Sequence, residues 1–421
     1  MRLPCLFLFL IYFKHGTYVS CRFYPSSQLM NSEIHMEHDA YRESLFTNRF
    51  IKHQILKSKI GHIQSQACFK VRQLGSSVQQ REIYQLTIGT GKIQVMLWSQ
   101  MHGDEPTGTL AFFDLFNFFA ADDQHNAFRK RILDNCTLHF IPMLNPDGAE
   151  VHQRRNAQGI DINRDFLKQQ STEARLLAGL QQNIQPEFGF NMHDQDTLWS
   201  VSGSKKPATI SLLAPPADDE ASITPGRLKA MLLTAGIYQV FKKQIPGCIG
   251  RWSEEYEARA FGDNFQRLGT STVLIEAGGY PGDFEKQYAR KLTFDILLYA
   301  LNQISTQQYA KQQLSQYHQI PFNHKELFHL LIKNCQINND DSNFTADIGL
   351  NYTEIIDLEH HKHKKIYTVA DFGDLSTWNA YDVFDADGWA MATSLSIGEK
   401  PTLKIVDTQG NILVMDQGVM V

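Results

Sequence analysis

Charge of one sign, paired cysteines and long apolar runs are all scarce in this sequence of 421 residues. The 40 basic and 45 acidic residues give a formal net charge of −5 at pH 7, so no basic excess supports a nucleic-acid partner. The cysteines are widely scattered and form no Cys-x-x-Cys pair: Cys5, Cys21, Cys68, Cys136, Cys248 and Cys335. This spacing argues against a disulfide framework and a cysteine zinc site, and it favours a reducing, cytoplasmic compartment.

One short apolar run, residues 4–13 (PCLFLFLIYF), has the length of a signal-peptide core and is too short to span a bilayer. Tyr18-Val19-Ser20, which precedes Cys21, lacks the small residue expected three places before a cleavage site. Two interpretations of residues 1–29 stay open: a signal segment for export, or sequence upstream of a true start at Met30. The weak cleavage chemistry favours the second. No integral membrane span is expected elsewhere in the chain.

Strand-like and helix-like patterns alternate up to about residue 305. Strands are predicted at residues 83–88, 93–98, 138–143, 188–192 and 272–275, and helices at 109–119, 174–180, 228–241 and 291–301. Gly89-Thr90-Gly91 between the first two strands predicts a hairpin or meander. The alternation predicts an α/β fold with helices on both faces of the sheet in residues 30–305. Short β-type runs then predict a small β-rich C-terminal domain at 320–421.

Residues that could bind a metal or act in catalysis are concentrated in a few segments near predicted strand ends. His102 and Glu105 are separated by two residues in SQMHGDEPTGT, and Gly103 permits a tight backbone between them. Imidazole nitrogen and carboxylate oxygen are both zinc ligands, but such a pair alone often arises by chance. The pair indicates a metal site only together with the motifs that follow it: LNPDG at 144–148, QRRNAQGIDINRDF at 153–166, FGFNMHDQ at 188–195 and TVLIEAGG at 272–279.

In this order the motifs resemble the zinc metallocarboxypeptidase family, of which carboxypeptidase A is the best-known member. The resemblance covers roughly residues 80–300 and implies a mixed eight-stranded sheet flanked by helices. It also implies one zinc ion per chain, held by His102, Glu105 and His193. Three protein ligands would leave a fourth position for water. Glu276 would then act as the general base.

The same resemblance assigns further residues. Arg154 or Arg155 would stabilise the oxyanion, and the spacing ahead of Asn156 favours Arg154. Asn163 and Arg164 match the pair that binds the terminal carboxylate of the substrate. The mobile tyrosine of the family has no matching local motif here, and Tyr256 is the candidate. Residues 199–219 resemble a bacterial branch, so substrate-pocket residues are not carried over.

The predicted function is zinc-dependent hydrolysis of a peptide bond by a carboxypeptidase that removes one C-terminal residue. One alternative is a deacylase of N-acyl amino acids similar to aspartoacylase and succinylglutamate desuccinylase. The other is a binding protein that retains zinc without turnover, which an intact Glu276 disfavours. The expected partner is therefore a peptide or acyl-amino-acid substrate, and the oligomeric state is left open. The histidine-rich segment 359–365 (EHHKHKK) is interpreted as a basic hairpin tip rather than a metal site.

Overall fold

The computed structural model describes most of the chain from Glu37 onwards, and those residues are 37–339, 342–357, 362–386, 391–393, 395–406 and 412–421. The predicted signal segment or upstream region, residues 1–29, lies outside the described residues. Residues 359–361 of the histidine-rich segment also lie outside them.

Helices and strands alternate up to about residue 305, and strands dominate afterwards. The α-helices are α1 (His53–Gln64), α2 (Thr107–Ala120), α3 (Asn126–Asn135), α4 (Pro146–Glu150), α5 (Thr172–Ile184), α6 (Pro225–Phe241), α7 (Phe261–Arg267), α8 (Gln287–Ser305) and α9 (Leu314–His318). The first strands are β1 (Lys70–Ser76), β2 (Glu82–Ile88), β3 (Ile93–Trp98), β4 (Cys136–Ile141), β5 (Phe188–Asp194), β6 (Trp199–Val201), β7 (Ile210–Leu213), β8 (Ile249–Arg251) and β9 (Ser271–Ala277). The later strands are β10 (Asn323–Lys325), β11 (Leu327–Asn339), β12 (Ser342–Asp357), β13 (Lys362–Gly373), β14 (Asn379–Asp385), β15 (Met391–Thr393), β16 (Leu403–Val406), β17 (Ile412–Asp416) and β18 (Val419–Met420).

The main sheet has eight strands in the order β1-β2-β4-β3-β5-β9-β7-β8. Its centre is parallel, since β4, β3, β5 and β9 pair in that direction. The β1–β2, β2–β4 and β7–β9 pairs are antiparallel. The central strands are apolar because they are covered on both faces. The predicted α/β fold with a mixed eight-stranded sheet and flanking helices is thus confirmed.

The predicted hairpin or meander between β2 and β3 is wrong. Strand β4 lies between them, antiparallel to β2 and parallel to β3. The turn at Gly89–Gly91 packs against the end of α3 and the start of β4: a Cβ on Gly91 would stand 1.8 Å from the carbonyl carbon of Asn135. The glycines therefore permit this close backbone approach, and they do not form a two-strand hairpin.

Helix α2 is buried on nearly every side and packs against α8. Its buried Asp114 accepts hydrogen bonds from Arg290 Nε of α8 at 2.7 Å, from the Glu43 amide at 2.8 Å and from His38. Arg290 also donates to the backbone carbonyls of Glu43 and Phe46. This ion pair, fully withdrawn from solvent, fastens the segment that precedes α1 to two helices of the core.

The C-terminal strands form a second sheet in the order β13-β12-β11-β15-β16-β17-β18, with β14 paired to β11. Leu330, Ile332, Ile348, Leu350 and Val369 belong to its buried core. The short β-type runs of this region, at residues 366–369, 403–406 and 412–415, fall within β13, β16 and β17. The division into domains at 30–305 and 320–421 stays a prediction.

The cysteines among the described residues, Cys68, Cys136, Cys248 and Cys335, are free thiols. Within the same residues, no helix combines the length and the apolar character needed to cross a bilayer.

Candidate metal centre and cleft

The candidate site lies at the carboxyl ends of three adjacent parallel strands. Strand β3 leads into the loop that carries His102 and Glu105, and β5 carries His193 as its second-to-last residue. Strand β9 carries Glu276, which is the register partner of His193. Because the carboxyl ends of parallel strands lie at one edge of a sheet, segments far apart in sequence bring their side chains together here.

His102, Glu105 and His193 form a buried cluster whose donor atoms all lie within 4.8 Å of one another. The Glu105 carboxylate faces both imidazoles, at 2.7 Å from His102 Nδ1 and 2.6 Å from His193 Nδ1. Burial alone would raise the pKa of Glu105, but the two imidazoles hold it well below its usual range. Two imidazole nitrogens and one carboxylate are the donor set of catalytic zinc sites that keep an open position, so these residues fit a zinc ion.

The ligand loop is supported by the turn of the LNPDG motif. A Cβ on Gly103 would stand 2.0 Å from the carbonyl carbon of Gly148, so the two glycines let the backbones touch. Asn145 caps α4 by accepting from the Gly148 amide at 2.9 Å, and its Nδ2 donates to the Arg154 carbonyl at 3.3 Å. The Gly103 amide donates to the same carbonyl. The motif therefore holds the ligand loop and Arg154 in fixed relative positions.

Asp161 contacts the cluster, and the sequence analysis gave it no role. Its Oδ1 accepts a hydrogen bond from His102 Nε2 at 3.0 Å, which leaves Nδ1 of that ring for a metal. Its Oδ2 accepts from Arg154 Nε at 3.1 Å. The signal was present in the sequence, because Asp161 is the acidic residue two positions before Asn163 in the segment compared with the family.

The structure places the two adjacent arginines differently. Arg154 lies over the cluster, with Nη1 at 3.1 Å from His102 Nδ1 and 3.3 Å from Glu105 Oε1. Arg155 is exposed and donates to the carbonyl of Gly159 at 3.0 Å within its own turn. Of the pair, Arg154 therefore contacts the His-Glu-His cluster and Arg155 does not.

Asn163 and Arg164 lie in a 3₁₀ turn beside the cluster. Asn163 Nδ2 is 3.4 Å from His193 Nε2, and its Oδ1 accepts from the Phe261 amide at 3.0 Å. Arg164 Nε is 3.1 Å from Glu257 Oε2, and this arginine is partly exposed towards the cleft. A guanidinium that is held on one side by a carboxylate keeps further N–H groups for an anionic ligand.

Glu276 is half-buried at the end of β9. Burial raises its pKa well above the ordinary value, and the nearby carboxylate of Glu105 adds to that effect. Tyr256, the candidate for a mobile tyrosine, is partly buried in the segment between Trp252 and Glu257. Those two neighbours line the cleft, whereas Tyr256 does not, so its role stays a prediction.

One cleft of about 360 Å³ brings most of the predicted residues together. The predicted residues in its wall are His102, Glu105, Arg154, Asn163, Arg164, His193 and Glu276. One space is thus surrounded by the His-Glu-His cluster, the guanidinium of Arg154, the carboxylate of Glu276 and the Asn163-Arg164 pair. Such an arrangement can bind a carbonyl compound that carries a negative charge, and it can deliver water to the carbonyl carbon.

Part of the chain is similar in sequence to known carboxypeptidases. Residues 61–207 match the family model described as zinc carboxypeptidase. Carboxypeptidase SOL1 of Arabidopsis thaliana is 39% identical over 69 residues, which are 16% of this chain and 14% of that protein. Carboxypeptidase 2 of Trichophyton rubrum is 31% identical over 103 residues, 24% of this chain and 19% of that protein. The alignments thus span less than a fifth of these relatives' length.

Among solved structures, bovine thrombin-activatable fibrinolysis inhibitor, in complex with tick carboxypeptidase inhibitor, superposes with a TM-score of 0.50. The sequence identity is 14%, and the match covers 64% of this chain and 99% of that one. At this identity the likeness concerns the fold alone.

Proposed function

We propose that the chain is a member of the zinc carboxypeptidase family, whose model matches residues 61–207, and that it hydrolyses peptide bonds and releases one residue from the carboxyl terminus. The observation that carries the proposal is that the His-Glu-His cluster, Glu276 and Arg164 line the same cleft. A metal site alone would support hydrolysis in general. A cation placed for a terminal carboxylate supports action at the chain end.

Each side chain has a distinct part in the proposed reaction. Asn163 and Arg164 bind the terminal carboxylate, which positions the last peptide bond beside the cluster. Zinc held by His102, Glu105 and His193 would supply Lewis-acid chemistry that makes water more acidic and the carbonyl more electrophilic.

The proton and the developing charge are assigned to the remaining residues. Glu276 takes a proton from the attacking water and passes it to the nitrogen of the leaving amine as the C–N bond breaks. Arg154 donates hydrogen bonds to the oxygen of the former carbonyl, where negative charge develops. Asp161 takes no part in these transfers, and it holds His102 and Arg154 in position.

Deacylation of a small N-acyl amino acid would use the same carboxylate anchor, and it is the second candidate function of the site. The shape of the cleft favours a peptide, since the cavity continues past Glu105 and Arg154 along Asp194–Leu198. A short acyl group would leave that continuation empty, whereas the upstream residues of a peptide would occupy it.

The test compares peptides of one sequence with a free or an amidated carboxyl terminus, incubated with zinc-loaded protein and followed by mass spectrometry. Release of the last residue from the free acid, and little from the amide, is the expected result. Glu276→Gln should lower kcat by about 10²- to 10⁴-fold. Cleavage of both peptides at internal bonds, or release only of acyl groups from acyl-amino acids, would refute the exopeptidase assignment.

The adjacent arginines provide a matched pair of variants for the same assay. Arg154→Ala should lower kcat by about 10²-fold, the usual loss when one oxyanion donor is removed. Arg155→Ala should leave kcat close to that of the unsubstituted enzyme, because among the described residues this side chain bonds to the Gly159 carbonyl of its own turn. Equal losses in the two variants would contradict the role given to Arg154.

A further inference from the structure

A second cavity, of about 230 Å³, lies where the C-terminal sheet meets the loop that follows β9. We call it the aromatic pocket, because five tyrosine and phenylalanine rings line it: Tyr280, Phe284, Tyr352, Tyr367 and Tyr381. Tyr280 and Phe284 come from the loop, and the others from β12, β13 and β14. The pocket is thus built jointly by the α/β region and the C-terminal sheet.

A groove of about 610 Å³ joins this pocket to the metal cluster. Its wall includes Glu105 and Arg154, which also line the metal cleft. It includes Arg49, Tyr352 and Glu354 as well, and these residues also line the aromatic pocket. The metal cleft, the groove and the aromatic pocket therefore form one continuous surface.

The position of the carboxylate anchor sets the direction of a bound peptide. Asn163, Arg164 and Glu276 line the metal cleft, but they do not line the groove. A peptide whose terminal carboxylate binds Arg164 must leave the cluster on the opposite side. The groove is the continuation on that side, and its far end opens on the aromatic pocket.

The walls of the aromatic pocket are held by contacts between the two regions. His329 Nε2 lies 2.9 Å from Thr197 Oγ1, and the Tyr381 hydroxyl donates to the Thr197 carbonyl. Arg49 forms an ion pair with Glu354 of β12. The bond to Thr197 holds the Tyr381 ring in place before any ligand arrives, which reduces the entropy lost on binding.

The pocket presents ring surface rather than a net charge. Its cations, Arg49, Lys286 and Lys365, are matched in number by Asp283, Glu354 and Asp382. The Lys365 ammonium lies 3.2 Å from the centre of the Phe284 ring, and Phe284 itself remains 48% exposed. An exposed phenylalanine inside a concave, ring-lined site offers contact area for an apolar or aromatic group.

We propose that the aromatic pocket binds an aromatic side chain of the peptide substrate, upstream of the bond that is cut. The inference rests on the proposed function for the direction of the peptide. It assigns to the C-terminal sheet a part in substrate binding, through Tyr352, Tyr367 and Tyr381. Enclosing a ring among these side chains removes apolar surface from water, which favours peptides with an aromatic residue at one particular upstream position.

The experiment measures affinity rather than turnover. Acetylated alanine-serine hexapeptides with a free carboxyl terminus carry a single phenylalanine at each upstream position in turn. Isothermal titration calorimetry gives their Kd for zinc-loaded Glu276→Gln protein. One position should bind about tenfold more tightly than the peptide without phenylalanine, as partial burial of a ring would give. Adding Phe284→Ala should remove this gain.

Phe344→Ala is the matched control, because Phe344 is also exposed and lies on β12 but lines neither the pocket nor the groove. It should keep the gain. Equal affinity at every position, or a gain that survives Phe284→Ala, would overturn the proposal. If the position-dependent gain is found while the unsubstituted enzyme releases no residue from these peptides, the aromatic pocket stands and the exopeptidase function falls.

Discussion

Replacing Asp161 should weaken zinc binding while the protein stays folded. The carboxylate accepts from His102 Nε2 at 3.0 Å and from Arg154 Nε at 3.1 Å, with its side chain only 9% exposed. The first contact fixes the ring so that Nδ1 faces Glu105 and His193. Loss of the carboxylate would free the ring to rotate and would make His102 a weaker base towards a metal.

The size of the loss should depend on what replaces the carboxylate. Removing a carboxylate that orients a metal-binding histidine typically costs about 10- to 100-fold in metal affinity, or about 1.4–2.8 kcal/mol. Asp161→Asn keeps an oxygen for His102 but turns an amide donor towards Arg154, so we expect a loss of about tenfold. Asp161→Ala leaves both groups without their partner, so we expect a loss of about a hundredfold.

Zinc affinity can be measured by competition with a chromogenic chelator at neutral pH, with circular dichroism as the check on folding. Asp263→Asn is the control, because Asp263 lines the same cleft and its carboxylate accepts from the Glu257 amide rather than from a ligand histidine. Its zinc affinity should equal that of the unsubstituted protein. If both Asp161 variants fold and bind zinc as tightly as the control, Asp161 does not orient His102, and the role assigned to this contact is wrong.

Three further predictions follow from residues outside this contact. Asp114→Asn should lower the free energy of unfolding in urea by about 3–5 kcal/mol, because Arg290 is left buried without its anion; the exposed Lys130–Asp134 pair supplies the control Asp134→Asn, with an expected loss below about 1 kcal/mol. Gly103→Ala should weaken zinc binding, since its Cβ would stand 2.0 Å from the Gly148 carbonyl carbon. The control Gly179→Ala in α5, where a Cβ would meet no atom within 4 Å, should leave zinc affinity unchanged and stabilise the helix by about 0.5–1 kcal/mol. Normal zinc affinity in Gly103→Ala would contradict the packing argument. Burial lowers the pKa of His139 to about 4, so its neutral form stabilises the fold above about pH 6.5, and this contribution, at most about 3 kcal/mol, is lost as the pH falls towards 4. His139→Gln should therefore show a smaller acid-induced loss of the free energy of unfolding in urea titrations. Parallel pH curves for the two proteins would exclude this residue as a source of acid sensitivity.

The sequence predicted the site best where an apolar strand pattern ends next to a residue that can bind a metal or transfer a proton. The apolar runs at β3, β5 and β9 are short, and each leads directly to a predicted site residue: His102, His193 or Glu276. Strand ends and candidate ligand residues could therefore be predicted together. The pairing of the strands could not, because a short apolar run does not identify its neighbour. For this reason the glycine turn before β3 was wrongly interpreted as a hairpin, although β4 pairs with both flanking strands.

The site residues show the same limit. The neighbouring Arg154 and Arg155 are equivalent in sequence, and only the path of the turn directs one towards the cluster and the other towards Gly159. Asp161 stood inside a recognised motif, but its contact with His102 spans 59 positions of the chain. Side-chain direction and long-range contact depend on packing of the whole fold, so local patterns do not determine them.

Thr197 connects the candidate metal site with the C-terminal sheet. It lies four residues after His193 and contacts that sheet through both its hydroxyl and its carbonyl. A change in that sheet can therefore act on the site in two ways, by moving the segment that follows the third ligand or by altering the aromatic pocket. His329→Ala would mix the two effects, because His329 bonds to Thr197 and also lines the groove. Phe284 belongs to the loop after β9 and contacts the sheet only through Lys365 among the interactions described. Its removal should alter peptide affinity and leave zinc affinity unchanged, so a parallel loss of both would show that the sheet acts on the metal cluster by support rather than on the substrate by contact.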